Sequence, residues 1–122
     1  MNETERRKER LVEVCSALPE AAVEGDRHLR FVVRGKTFAY YLNDHHGDSR
    51  IAVCCKAPTG DQEALIAMSP ERYYRAAYLA RHGWVSLRLD LPTIDWEKVS
   101  ELVLDSYRLV APKRLAAEAS QA

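Results

Sequence analysis

The sequence has no long hydrophobic run, no excess of charge of either sign and little cysteine, and each shortage closes off a class of function. The longest apolar stretches, such as FAYYL and ALIAM, are five residues long. A helix that crosses a bilayer needs about 20, so none is expected, and the charged N-terminal stretch offers no apolar signal core. A cytoplasmic protein with no membrane partner is the expectation. The 18 basic and 18 acidic residues cancel. Phosphate neutralisation supplies much of the affinity of a dedicated nucleic-acid binder, so this balance is compatible with DNA only where the charges segregate on the surface. Three cysteines, two of them adjacent, make no disulfide framework and fit a reducing compartment as small buried residues.

What is present is a globular profile. The 122 residues, 47% hydrophobic and 30% charged, amount to about one domain. At that size folding removes roughly two thirds of the unfolded surface from water, enough for one ordinary core. There are no internal repeats and no low-complexity linker.

The densest group of chemically capable side chains is the stretch NDHHGDSRIAVCCK, residues 43–56. Its first half is nearly all turn formers, which favours a solvated connection with His45 and His46 at its tip. Its second half, Arg50 to Lys56, reads as a strand, where neighbours point to opposite faces. Cys54 and Cys55 therefore cannot hold one ion together, and neither spacing matches a paired CxxC ligand set. No Cys-His signature accompanies a cysteine nucleophile, so no enzyme, no metal and no cofactor is expected.

Along the rest of the chain, ETERRKERLVEVCSAL places Leu11, Val14 or Cys15, and Leu18 at helical spacing and predicts a helix over residues 3–18, stopping at Pro19. Residues 20–30 show no sustained period and read as loop. Phe31 to Val33 and Thr37 to Leu42 read as strands around the tight turn Arg34-Gly35-Lys36, with Phe38, Tyr40 and Leu42 on one face and Thr37, Ala39 and Tyr41 on the other. Asp61 is placed to cap a short helix, QEALIAM, with Ala64, Leu65 and Met68 inward. Residues 69–83 read in two ways. Ser69-Pro70-Glu71 is a good helix start, running to Gly83; alternatively the helix ends near Tyr74, and Ala76 to Ala80 is a strand that turns at Arg81-His82-Gly83. Trp84 to Leu89 alternates cleanly, with Val85, Leu87 and Leu89 toward the core. Asp95 is placed to cap a final helix in which Trp96, Val99, Leu102 or Val103, Ser106 or Tyr107, and Val110 recur at helical spacing. Ser106 and Tyr107 fall on its inward side, as hydrogen-bonding structural residues. Residues 1–112 then form one α+β domain, and 113–122 read as a frayed tail.

The order of LPEA at 18–21, RFVVRGKTFAYY, a strand ending in Lys56, YLARHGWVSLRL and DSYRLV at 105–110 resembles the MmcQ/YjbR family, small bacterial domains usually labelled as DNA-binding. Its most specific pieces are Phe31, Gly35, Lys36 and Phe38, then Gly83-Trp84, then Ser106-Tyr107. The chain departs from the pattern with Gly25-Asp26-Arg27-His28 after LPEA and with Ala80-Arg81 before the last turn. The resemblance implies the order α-β-β-β-α-β-β-α, an antiparallel sheet with helices packed on it, an arrangement similar to that of secretion chaperones and CyaY-like domains. It favours the hairpin reading of residues 76–89. It also implies a double wing, two basic hairpins reaching the duplex, here Arg34, Gly35 and Lys36 with Arg81 and His82. Arg88 joins these as a candidate, on a sheet face with Lys56, Tyr41 and Trp84, an aromatic and cationic surface suited to nucleic acid or to helix cover. DNA is thus the expected partner, a protein partner the alternative, and the expected state a monomer or weak dimer.

Overall fold

The computed structural model describes residues 1–120. Helix α1 (Glu3–Ser16) is followed by strands β1 (Ala22–Gly25), β2 (Leu29–Val33), β3 (Lys36–Asn43) and β4 (Ile51–Lys56), then helix α2 (Asp61–Met68). Strands β5 (Tyr73–Tyr74) and β6 (Trp84–Arg88) and helices α3 (Trp96–Val110) and α4 (Lys113–Ser120) complete it. The strands form one antiparallel sheet in the order β1-β2-β3-β4-β6-β5. The architecture is α+β, as expected, with one strand and one helix more than the order read from the sequence. No described helix is long and apolar enough to cross a membrane.

The helices cover one face of the sheet. Leu11 and Cys15 of α1, Val99, Val103 and Tyr107 of α3, and Leu115 of α4 pack with Phe31, Phe38, Val53 and Val85 in the main core. Asp95 caps α3 by accepting from the amides of Glu97 and Lys98 at 3.1 and 3.4 Å, and Asn2 does the same for α1 from Glu5 at 2.8 Å. Arg7 then ties α1 to the segment after β6 by donating to the carbonyls of Leu89 and Leu91 at 3.0 and 2.6 Å. On the other face a smaller cluster, Leu42, Ala52, Cys54, Tyr74 and Ala76, lies under the segment 75–83.

Five expectations are corrected. Residues 20–30 are not all loop. Ala22–Gly25 forms an edge strand on β2, and it escapes the apolar pattern because all four of its residues are exposed. Between β2 and β3 the register shifts at Phe31 and Val32, whose partners are Ala39 and Thr37. The extra residue, Phe38, turns inward with Ala39 and Tyr41, leaving Tyr40 and Leu42 on the opposite face. Helix α2 is capped by Gly60, with φ 92°, and not by Asp61. It also buries Gln62, with Leu65 and Ile66 half-buried, while Ala64 and Met68 point to solvent. In residues 69–83 neither the long helix nor a strand at 76–80 forms. The strand is Tyr73–Tyr74, both buried, paired with Leu87 and Ser86. Lys113–Ser120 is helical, with Leu115 and Ala119 buried, where a frayed tail was expected. The last two residues of that tail, 121 and 122, lie outside the described residues.

Candidate nucleic-acid interface

The turn between β2 and β3 is as tight as the sequence predicts. Val33 pairs with Lys36, so Arg34 and Gly35 alone connect the strands, with φ of 51° and 76°. Two successive left-handed residues suit a type I′ turn, whose twist matches that of the flanking strands. Gly35 adopts this conformation freely, while Arg34 is held in it by its partner. Its Nε and Nη2 donate to Oε1 and Oε2 of Glu20 at 2.6 and 3.0 Å. These bonds, chiefly, hold the Glu20 carboxyl below the ordinary range. Arg114 of α4 approaches the same carboxylate at 3.7 Å. Two guanidinium groups therefore share one carboxylate, and Lys36 is exposed beside them.

The second expected tip has a different shape. Arg81 and His82 sit in a single 3-10 turn, Ala80–His82, closed by Gly83 at φ 83°. Because β5 pairs with the distal part of β6, residues 75–83 form an open connection in place of a hairpin turn. Buried Gln62 pins this connection to the sheet by donating to the carbonyls of Ala80 and Trp84 at 2.8 and 2.5 Å. Arg81 remains exposed and bonds only sideways, its Nε to His82 Nε2 at 3.3 Å. Lys56, also exposed, ends β4 opposite Trp84 at the start of β6.

Lys36, Lys56 and Arg81 thus stand at one end of the sheet, and none of them forms an ion pair with another described residue. The β2–β3 turn and the start of β6 are separated by about two strand spacings, roughly 10–12 Å. Asp61 and Glu63 line the clefts beside Lys56, so the positive end is interrupted by acid.

Arg88 is not part of this end. It lies at the far end of β6, paired with Ala52, and its guanidinium donates to both oxygens of Asp90 at 2.9 and 3.2 Å. Asp90 also accepts from the Ile51 amide at 3.2 Å. Burial pushes the Asp90 carboxyl up, but these hydrogen bonds outweigh it and leave the group below its ordinary range. The aromatic and cationic face divides as well. Tyr41 is buried beneath the helices, while Tyr40 is the residue that meets Trp84, with ring centroids 5.5 Å apart. Tyr40 was missed because the bulge at Phe38 exchanges the faces of β3. Cys54 and Cys55 lie in different clusters on opposite faces, and burial pushes the Cys54 thiol up to about 12, which leaves it an inert packing residue.

Residues 16–109 match the family model YjbR. Among solved structures, the crystal structure of the Deinococcus radiodurans protein DR2400, a protein of domain family DUF419, is similar, with a TM-score of 0.71 at 25% sequence identity. The similarity covers 93% of this chain and 87% of that one. No curated protein matches the chain.

Proposed function

The chain belongs to the YjbR family, and from that premise we propose that it contacts the backbone of duplex DNA through the basic end of its sheet, with little sequence readout. The observation that carries this reading is the placement of three exposed cations without carboxylate partners, Lys36, Lys56 and Arg81, at the same end of neighbouring strands. The separation between the first turn and the start of β6 is close to the width of the major groove, about 12 Å. Phosphate oxygens are reached by Lys and Arg heads without base-specific geometry, so such contacts position a duplex and read no sequence. The interspersed acids predict weak, strongly salt-sensitive binding. Three phosphate contacts correspond to a slope of log affinity against log salt of about −3.

The test is a fluorescence-anisotropy titration of a labelled 25-mer duplex at several low salt concentrations. Lys36→Ala and Arg81→Ala should each flatten the slope by about one. Arg88→Ala should leave it unchanged. Glu20→Gln releases Arg34 from its ion pair and should strengthen binding. No binding at the lowest salt, or a slope indifferent to Lys36 and Arg81, rejects the reading and turns attention to a protein partner.

A further inference from the structure

The end of the sheet opposite Arg34 brings together imidazoles that are far apart in the chain. His28 lies in the β1–β2 turn, and His45 and His46 in the β3–β4 turn. His28 Nε2 is 2.8 Å from the carbonyl oxygen of Asn43, and His45 Nε2 is 3.0 Å from that of Ala77. A carbonyl only accepts, so each Nε2 carries the hydrogen, and in the neutral ring the lone pair resides on Nδ1. Fixing one ring nitrogen on a backbone carbonyl in this way is the usual support of a metal-binding histidine.

The two rings are also spaced for a shared ion. Their centroids are 5.9 Å apart. Two imidazoles bound to one ion through nitrogen at about 2.1 Å have centroids on the order of 5–6 Å apart. The His46 ring packs edge-on against His45 at 4.3 Å, and Tyr78 backs His46 at 4.6 Å, which limits the freedom of the His45 side chain. Both half-buried rings line a cavity of about 360 Å³ whose walls include Tyr40, Leu42 and Leu79. Of the six described non-glycine residues with left-handed backbone, Asp44, His46, Ser49 and Tyr78 belong to the segments around this cluster. Such concentration of strain is typical of sites over-determined by their surroundings.

We propose that His28 Nδ1 and His45 Nδ1 form a two-imidazole site for a divalent first-row transition ion of the Zn²⁺ class, the class that imidazole suits. Among the described residues no group of three histidine, cysteine or acidic side chains converges to hold a metal. Water completes the coordination, the ion is exchangeable, and its open positions adjoin the cavity.

The test is a titration of the tag-free full chain with Zn²⁺ against a chromophoric chelator, together with long-range ¹H–¹⁵N spectra of the imidazoles in the wild type. Zn²⁺ should move the Nδ1 resonances of His28 and His45 and leave Nε2 protonated. His28→Ala and His45→Ala should each weaken binding by about tenfold or more, while His46→Ala keeps it within about twofold. Because the spectra are read on the wild type, a variant that folds poorly does not decide the matter. Absence of a Zn²⁺-dependent Nδ1 shift overturns the proposal, as does binding that survives His28→Ala, which would mean adventitious capture by the adjacent His45-His46 pair only.

Discussion

The hydroxyl of Ser106 serves two strands at once. It donates to the carbonyl of Phe38 at 2.6 Å and accepts from the amide of Lys56 at 3.0 Å, just beyond the Ala39–Cys55 pair at which the β3–β4 ladder ends. Its neighbour Tyr107 donates to the Pro19 carbonyl at 2.6 Å and packs edge-on against Phe38 with centroids 5.3 Å apart. Ser106→Ala leaves two backbone groups unsatisfied beneath α3, and the expected loss is about 1–3 kcal/mol, read as a lower urea midpoint at constant m. A loss below about 0.5 kcal/mol would show that water replaces the hydroxyl. The inward, structural role of this pair was legible from helical spacing. The inward turn of Phe38 was not, because strict alternation carries no mark of a bulge, and the same blind spot concealed Tyr40.

At the scale of elements, those with a clear apolar pattern or turn signals were legible, and β1, β5 and α4 were not. α1, α3 and β6 each present a sustained apolar face, so their period identifies them. β1 has no buried residue and owes its place to pairing with β2 and to Gly25. A Cβ on Gly25, at φ 107°, would stand 2.2 Å from the His28 carbonyl oxygen, so the turn tolerates only glycine there. α4 is short and rich in alanine and charge, but Leu115 and Ala119 lie one turn apart and both reach the core. Leu115→Ala should therefore cost about 2–5 kcal/mol in a denaturant titration, as a fully buried leucine does. A frayed terminus would respond by no more than a few tenths. Residues 69–83 misled for a related reason: Ser69-Pro70-Glu71 is a sound local helix start, but the burial of Tyr73 and Tyr74 against β6 wins over local propensity.

For the whole molecule, a formal net charge of zero conceals two chemically different ends. The composition could state the balance but not its distribution, because Lys36, Lys56 and Arg81 meet only through strand pairing, as do His28 and His45. The six residues of β4 span about 20 Å between these ends, two Debye lengths or more at physiological salt. Between them β4 pairs with β3 and with β6 without a shift of register, a continuous ladder that holds both ends in one frame. A divalent ion at the imidazole end should therefore change duplex affinity by less than about twofold and leave the salt slope set by Lys36 and Arg81 intact, as expected of well-separated sites. The measurement is the anisotropy titration repeated with and without saturating Zn²⁺. A shift in affinity that Arg88→Ala abolishes would show instead that the Arg88–Asp90 pair, bonded through Ile51 to the start of β4, transmits the change along the sheet.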